Sequence, residues 1–339
     1  MKAIVYAAPQ QFSYQEVPIP EIAADEVLIL IRSCGICGTD LHIHDGEFLA
    51  RFPLIPGHEF AGEVADVGSA VESVKVGERV VCDNTELCGH CFYCRRDEPL
   101  FCENFLSHGV NLAGGQAEYL AMKAEKAFPF QNLTWQEAAL VEPTACAIHG
   151  MDLIALKPGS SVLLFGAGPT GIILAQLLKL NGALHLTVAA PAGPKLDLVS
   201  HLAADEVVSI DRHDGQYHRD RLLREHRRGF DYVIEATGSP QLCNEALQYV
   251  RPGGHVVVYG VYSTSARLNW SPYEIFQKQL TIVGSFAQTH CFDRALAHLE
   301  SHKVKVDEMV THKFALEEYS HALETLRSRE GIKLIIQQS

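Results

Sequence analysis

The sequence lacks the features of membrane-embedded and nucleic-acid-binding proteins. No segment approaches eighteen consecutive apolar residues, so no membrane span is expected. The start has no long apolar run of the kind found in a signal peptide, and we therefore expect a cytoplasmic protein with reduced thiols. Lys and Arg number 28 against 41 Asp and Glu, and the net charge of −13 argues against binding to nucleic acid or an anionic membrane surface. Internal repeats and low-complexity linkers are also absent.

The 339 residues, 47% of them hydrophobic, suffice for two domains with separate cores. Residues 1–130 consist of short apolar runs bounded by Gly, Pro or acidic turns, which predicts a β-rich region with no helical stripe. Apolar residues three and four apart then predict one helix over 134–154. Beyond it, strands at 161–165, 184–188, 206–210, 230–235, 255–259 and 280–284 alternate with helical or crossover segments. This alternation predicts an α/β fold with a doubly wound parallel sheet.

After residue 287 the pattern changes again. Two amphipathic helices, at about 291–302 and 316–328, precede a last strand at 332–336. We expect this tail to pack against the β-rich N-terminal region. The predicted domains are therefore 1–152 with 288–339, and 153–287.

Four of the ten cysteines are concentrated in one short stretch, with the spacing C-x₂-C-x₂-C-x₇-C. They are Cys88, Cys91, Cys94 and Cys102. Four thiolates at these intervals predict a closed tetrahedral zinc site in a lobe spanning about 86–104. Because protein sulfur fills every coordination position, this zinc is expected to be structural.

A second set of candidate metal ligands comprises Cys37, His58 and Glu59. A thiolate, an imidazole and a carboxylate are ligands that a catalytic Zn²⁺ takes, with one position left open for water or substrate. The spacing alone also fits residues that merely pack in a core or lie on the surface. With the four-cysteine site, we therefore expect two zinc ions per chain.

A glycine-rich segment follows the first predicted strand of the parallel sheet and opens a helix, as a dinucleotide-binding turn requires. Its residues are Gly166, Gly168, Pro169, Thr170 and Gly171. Ala190 ends the second strand, where NAD-binding proteins carry an acid, so we favour NADP over NAD. Lys195 and Arg212 could supply positive charge for a 2′-phosphate. Further candidate cofactor contacts at later strand ends are Thr237, Gly238, Gly260 and Val261.

Together these motifs resemble the zinc-dependent medium-chain alcohol dehydrogenases over essentially the whole chain, and most of all their polyol branch. The resemblance rests on Gly35–His42, Gly57–Glu59, the four-cysteine lobe, Glu142-Pro143 and the glycine-rich turn. It implies a GroES-like catalytic domain plus a Rossmann domain, with Cys37, His58 and Glu59 on the catalytic zinc. Glu142 would be the fourth ligand or a carboxylate contacting the zinc-bound water. Ala190 departs from the NAD-using polyol enzymes.

The expected reaction is hydride transfer between NAD(P) and a polyol/ketose pair, such as a pentitol like D-arabinitol. Zinc would act as a Lewis acid on the substrate hydroxyl. Thr39 could take the released proton and His42 could pass it outward, although a helix-capping Thr and a surface His are the alternatives. The resemblance also implies a homo-oligomer, a tetramer or a dimer. Rival functions are a threonine-type or sugar-phosphate dehydrogenase, a non-catalytic quinone-binding or lens-type relative, and a dinucleotide sensor with a structural zinc lobe.

Overall fold

A computed structural model describes residues 1–211 and 215–338, which form two compact units. The first unit comprises Met1–Ala145 and Thr289–Ser339, and the second comprises Cys146–Gln288. Within the described residues no helix is long and apolar enough to cross a lipid bilayer.

The N-terminal part of the first unit is built mainly from strands. They are β1 (Lys2–Ala8), β2 (Gln11–Glu16), β3 (Glu26–Ile36), β4 (Glu59–Val67), β5 (Arg79–Cys82), β6 (Thr85–Glu86), β7 (Leu106–Ser107), β8 (Tyr119–Lys123) and β9 (Ala127–Pro129). Strand β3 pairs antiparallel with β4 and β8, and its inward residues Val27, Ile29 and Ile31 are fully buried. This alternation of buried and half-buried residues is what a strand with one face on a core requires.

The β-rich N-terminal region also contains a short helix that its apolar pattern does not predict, α1 (Gly38–His44). The helix covers only two turns, and Ile43 is its only fully buried apolar residue. The sequence therefore shows no apolar stripe of helical period there. Its start is instead fixed by Asp40, whose Oδ2 accepts a hydrogen bond of 2.7 Å from the Cys37 N–H. The helix predicted over 134–154 is two helices, α2 (Trp135–Ala138) and α3 (Val141–Ile154).

The second unit confirms the predicted doubly wound sheet. Its strands are β10 (Ser161–Phe165), β11 (His185–Ala190), β12 (Glu206–Ser209), β13 (Phe230–Glu235), β14 (Val250–Val258) and β15 (Thr281–Gly284). Its helices are α4 (Pro169–Leu180), α5 (Pro194–Leu202), α6 (Gly215–Glu225), α7 (Pro240–Tyr249) and α8 (Pro272–Lys278). The strands pair in parallel in the order β12-β11-β10-β13-β14-β15, which is the Rossmann order.

The tail returns to the first unit, as expected. It contains α9 (Phe292–Glu300), β16 (Val310–Phe314), α10 (Tyr319–Ser328) and β17 (Lys333–Gln337). Strand β17 pairs antiparallel with β3, with Leu334 opposite Ile36. Side chains of β17 and α10 share one apolar core with Ile43, so the tail holds α1 in place.

Candidate functional site

Strand pairing explains how Cys37 meets His58 and Glu59. Cys37 follows β3 and caps α1, whereas His58 directly precedes β4 and Glu59 is its first residue. The β3–β4 register sets Gly35 directly opposite Glu59, so the two chain segments converge at this end of the sheet. The ligand atoms of Cys37, His58 and Glu59 lie within 4.8 Å of one another. A side chain at position 35 would collide with the Glu59 carboxylate, which is why glycine stands there.

The Asp40 carboxylate lies beside the imidazole of His58. Its Oδ1 lies 3.6 Å from His58 Nδ1, and both side chains are buried. Burial lowers the pKa of His58, but the neighbouring Asp40 and Cys37 outweigh burial, and the pKa lies well above its usual value. A carboxylate at Nδ1 leaves Nε2 as the ring nitrogen for a metal, the arrangement found around many metal-binding histidines. Sequence analysis gave Asp40 no role, although Cys37-x-x-Asp40 has the spacing of a capping box.

Lys333 forms an ion pair with Glu59, and both side chains are almost fully buried, at 2% and 1% exposure. Burial lowers the pKa of Lys333, but the charges of Glu59 and Cys37 outweigh it, and the net shift is upward. The site therefore combines a thiol, an imidazole and two carboxylates with one buried ammonium. Sequence analysis missed Lys333, because it lies 274 residues from Glu59 inside an apolar strand.

The proposed relay residues lie on α1. Thr39 Oγ1 is 3.8 Å from Cys37 Sγ. His42 Nδ1 lies 2.7 Å from Glu47 Oε2, and the His42 side chain is about a quarter exposed, at 26%. Glu142 is a half-buried residue in the first turn of α3, and it is not a member of the group formed by Cys37, His58 and Glu59.

The four sulfurs of Cys88, Cys91, Cys94 and Cys102 lie within 4.8 Å of one another. Cys91 Sγ and Cys102 Sγ are 3.9 Å apart, close to the roughly 3.8 Å between two ligands of a tetrahedral zinc with Zn–S bonds of about 2.3 Å. The N–H groups of Cys88 and Asn104 each donate to Cys102 Sγ at 3.4 Å. Several hydrogen bonds, the strongest from the His90 backbone, lower the pKa of Cys88 to about 6, which favours a thiolate, whereas burial and the neighbouring thiols raise the pKa of Cys94 to about 12. This cluster fits the predicted structural zinc.

Three glycines shape the turn between β10 and α4. Gly166 has φ of +115°, in the region that only glycine enters easily. Gly168 caps α4 and faces open space, which leaves room for a pyrophosphate to approach the backbone. A side chain on Gly171 would collide with the Gly166 carbonyl, so the helix can pack against the turn only with glycine there. Pro169 and Thr170 occupy the first turn, whose N–H groups can bind phosphate.

Glu235, which sequence analysis did not identify, ties together the loops at the carboxyl edge of this sheet. The fully buried carboxylate ends β13 and accepts hydrogen bonds from the N–H groups of Thr237 (2.8 Å) and Gly238 (3.1 Å). The Tyr262 hydroxyl also donates to it, and its own carbonyl accepts from Gly260 N–H at 2.9 Å. The signal was an acid directly after the buried run 232–234 at the end of β13.

The other cofactor candidates lie near the same edge or outside the described residues. Ala190 is the buried last residue of β11. Lys195 is half-buried in the first turn of α5, and Val261 is 45% exposed. Arg212 lies outside the described residues.

Comparison with known proteins agrees with this architecture. The alcohol dehydrogenase GroES-like domain profile matches residues 23–132, and the zinc-binding dehydrogenase profile matches residues 169–301. The chain is 52% identical to D-arabinitol dehydrogenase 1 of Uromyces fabae, over 99% of this chain and 97% of that protein. It is 33% identical to D-altritol 5-dehydrogenase of Agrobacterium fabrum, over 94% of each.

Among solved structures, a protein described as a zinc-binding dehydrogenase from Sinorhizobium meliloti, bound to NADP, has a TM-score of 0.92. It is 29% identical to this chain, and the match covers 99% of both. The glycine-rich turn and the two cysteine-containing ligand groups therefore occur in a chain whose whole length follows one known architecture. The chain belongs to the zinc-binding alcohol dehydrogenase family.

Proposed function

We propose that this protein is a zinc-dependent polyol dehydrogenase that transfers a hydride between NAD(P) and a polyol/ketose pair, with the pentitol D-arabinitol as its first candidate substrate. The observation that carries the proposal is the 52% identity to D-arabinitol dehydrogenase 1 along 99% of the chain. The 33% identity to D-altritol 5-dehydrogenase supports an open-chain polyol as the substrate class.

In this proposal Cys37, His58 and Glu59 hold a catalytic zinc, and Glu142 is its fourth ligand or a carboxylate at its open position. Bound there, zinc would supply Lewis-acid polarisation of the reacting oxygen. Asp40 keeps the His58 ring in the ligand orientation through its 3.6 Å contact with Nδ1. The four-cysteine lobe holds the second zinc of each chain.

The proton released from the substrate hydroxyl would leave along α1. Thr39, whose hydroxyl is 3.8 Å from Cys37 Sγ, accepts it first. His42 then passes it outward, because its ring contacts Glu47 at 2.7 Å and is partly exposed to solvent. This assigns Thr39 and His42 the relay role.

The dinucleotide would bind in the Rossmann unit, with its pyrophosphate over Gly166–Gly171. Thr237, Gly238, Gly260 and Val261 would contact it at the neighbouring strand ends. Ala190 removes the acid that would repel a 2′-phosphate, and Lys195 and Arg212 add positive charge, so NADP is favoured over NAD. Solved structures of nearly equal similarity are bound to NADP (TM-score 0.92) and to NADH (TM-score 0.91), so they support a nicotinamide dinucleotide, and the preference for NADP rests on position 190.

We further propose that residues 1–152 with 288–339 act as the catalytic domain and residues 153–287 as the dinucleotide domain. Strand β15 is an outermost strand of the described parallel sheet, and Ile282 on it is 39% exposed. Pairing of β15 across a two-fold axis would give a dimer or, by a second interface, a tetramer. Sedimentation of a Val283→Lys variant as a monomer would support this arrangement.

The deciding experiment is a substrate panel with both nicotinamides on protein carrying two zinc ions per chain. The panel contains D-arabinitol, xylitol, ribitol, sorbitol, L-threonine and a hexitol phosphate. We expect the highest kcat/KM with a pentitol, and loss of turnover in Cys37→Ser. Preference for L-threonine or the phosphate would overturn the substrate class, and a fully active Cys37→Ser variant would overturn the catalytic zinc.

Cofactor choice has its own test. In Ala190→Asp the new carboxylate would accept from a ribose 2′-hydroxyl and repel a 2′-phosphate, so the kcat/KM ratio of NADP to NAD should fall by at least about tenfold. Ala192→Asp, which adds the same charge at an exposed position beyond the strand end, is the matched control. An unchanged ratio in Ala190→Asp would contradict the inference that residue 190 governs the choice between NADP and NAD.

A further inference from the structure

A second group of metal-ligand side chains lies in the Rossmann unit, remote from the glycine-rich turn. His185, Glu206 and His226 bring their ligand atoms within 4.8 Å of one another. His185 opens β11, Glu206 opens β12, and His226 directly follows α6. The first residues of parallel strands lie at the edge opposite their carboxyl ends, roughly 16 Å away across the five residues from His185 to Ala190. The group is therefore separate from the dinucleotide-binding edge.

The Nε2 atoms of both imidazoles face one carboxylate oxygen, Oε2 of Glu206. Glu206 Oε2 lies 2.9 Å from His226 Nε2 and 3.4 Å from His185 Nε2. Neighbouring ligands of a tetrahedral zinc, with bonds of about 2.0–2.1 Å, are about 3.3 Å apart. The two separations bracket that value.

Surrounding residues fix these side chains in position. Arg221 donates to Glu206 Oε1 at 3.0 Å, which leaves Oε2 facing the two imidazoles, and the Thr187 hydroxyl donates to Oε2 at 3.1 Å. The His226 ring packs on buried Phe230 with ring centroids 4.4 Å apart. Partners that hold a ligand in position in this way commonly raise metal affinity.

The electrostatic environment also suits a cation. The backbone N–H of His226 donates to the Leu222 carbonyl at 2.9 Å, so His226 lies at the C-terminal end of α6, where the helix dipole is negative. His185 is 41% exposed, which gives an ion access from solvent.

We propose that His185, Glu206 and His226 form a third metal site, which binds Zn²⁺ or a similar divalent ion such as Co²⁺ with water completing the coordination. Two imidazoles and one carboxylate are a ligand set that borderline ions of this kind favour. The bound ion would join β11, the edge strand β12 and the end of α6. Its role is to stabilise this edge of the sheet, because it lies far from the strand ends where the dinucleotide binds.

The test titrates the zinc-loaded full chain with Co²⁺, followed by calorimetry and visible absorption. We expect one further equivalent to bind, with cobalt bands that lack thiolate-to-metal charge transfer, since no cysteine belongs to the group. His226→Gln and the more exposed His185→Gln should each weaken binding by about tenfold or more. His201→Gln, an exposed histidine on α5, is the control and should leave binding unchanged.

A thermal scan supplies a second readout. Co²⁺ should raise the melting temperature of the zinc-loaded protein by a few degrees but leave that of His185→Gln unaltered. Absence of a further equivalent, or wild-type affinity in either histidine variant, would overturn the proposal. A thiolate charge-transfer band would also overturn it, because it would mean that Co²⁺ had exchanged into a cysteine site.

Discussion

Asp40 and Lys333 are the charged neighbours of two proposed zinc ligands, His58 and Glu59. Asp40 contacts the Nδ1 side of His58, and Lys333 forms an ion pair with Glu59 in which both side chains are almost fully buried. A buried carboxylate without a positive partner would be strongly disfavoured. A zinc ion bound in this pocket would compete with Lys333 for the Glu59 carboxylate. The Asp40 and Lys333 contacts can each be tested by one substitution.

Asp40→Asn should weaken zinc binding at the Cys37 site by about 10–100-fold, because the neutral amide no longer fixes the tautomer and orientation of His58. Competition with a chromogenic chelator measures this affinity. Asp66→Asn, at an exposed position of β4, is the control. An unchanged affinity in Asp40→Asn would leave Asp40 with its capping role on α1 alone.

Lys333→Gln should destabilise the zinc-depleted protein by about 3–5 kcal/mol, the usual cost of leaving a buried charge without its partner. The same variant should bind zinc more tightly than the wild type, because the ammonium no longer competes for the Glu59 carboxylate. Denaturant unfolding with and without zinc gives both quantities. Lys313→Gln, an exposed residue on the adjacent strand β16, is the control.

The affinity change in Lys333→Gln also tests whether Glu59 is a ligand. If zinc affinity falls or stays the same while stability drops, Glu59 serves only as the partner of Lys333. The ligand set would then consist of Cys37 and His58, with Glu142 as the remaining candidate.

Residue types with distinctive chemistry could be read from the sequence, whereas their partners could not. Cys37, His58 and Glu59 were candidates because thiol, imidazole and carboxylate groups are metal ligands, and the fold does bring them together. Asp40 was concealed by a helix too short to show periodicity. Lys333 was concealed by its distance along the chain, because a charged residue within an apolar strand gives no indication of its partner.

At the scale of elements, the four-cysteine lobe has little regular structure of its own. Around its cysteines the chain forms two short 3₁₀ turns, Cys94–Arg96 and Pro99–Phe101. Phe92 and Phe101 are both 59% exposed, so the lobe gains little from apolar burial. Its order therefore depends on the metal.

Cys94→Ala should lower zinc content by one ion per chain and open the lobe to proteolysis within about residues 86–104. The reason is that three sulfurs and water bind zinc less tightly than four sulfurs. Limited proteolysis with mass spectrometry locates the cleavage. Cys82→Ala, at a buried cysteine of β5, should keep the zinc and resist cleavage in the lobe. Equal resistance in both variants would contradict metal-dependent order.

Helices α6 and α7 are joined by a buried polar cluster around Glu245. Arg219 donates to Glu245 Oε1 at 2.6 Å, and the Tyr249 hydroxyl donates to Oε2 at 3.1 Å. Burial raises the pKa of Glu245, but contacts with His218, Arg219 and Tyr249 outweigh it and lower the pKa to about 2. The ionised carboxylate therefore stabilises the folded unit.

Glu245→Gln should reduce the free energy of unfolding at pH 7 by on the order of 2 kcal/mol. Because the folded pKa is depressed, the wild-type advantage is complete above the unfolded pKa of about 4.3 and is lost as the pH falls toward about 2. Urea unfolding at several pH values measures the difference. Glu274→Gln, which breaks a partly exposed pair on α8, should cost about 0.5 kcal/mol or less. A pH-independent difference in Glu245→Gln would contradict this account.

Elements with continuous apolar runs were predicted well, and short or polar ones were not. Strands β10 and β13 match their predicted bounds, since each is a buried run closed by turn residues. Helix α8 was missed because none of its residues is buried. The predicted 134–154 helix ignored a break near Leu140, where α2 ends and α3 begins.

At the scale of the whole molecule, the proposed zinc ligands and the glycine-rich turn belong to different compact units. The core of the second unit consists of its own apolar residues, including Phe165, Val233 and Val256. Removal of zinc should therefore abolish alcohol oxidation while leaving NADPH binding within about twofold, since the turn depends on backbone geometry in its own unit. Fluorescence titration after chelation measures the binding, and added zinc should restore turnover. Loss of NADPH binding on chelation would contradict this independence.

The pairing of Glu59 with Lys333 has a consequence for synthesis. Ribosomes elongate at roughly 5–20 residues per second, and Lys333, which lies 274 positions after Glu59, would follow it by roughly 14–55 s at that pace. The Rossmann unit lies within that interval and can fold first. Until Lys333 emerges, the nascent first unit holds an acid with no countercharge, so its strands should stay open to chaperones or to an arriving metal ion. Completion of this pocket can thus follow the folding of the Rossmann unit.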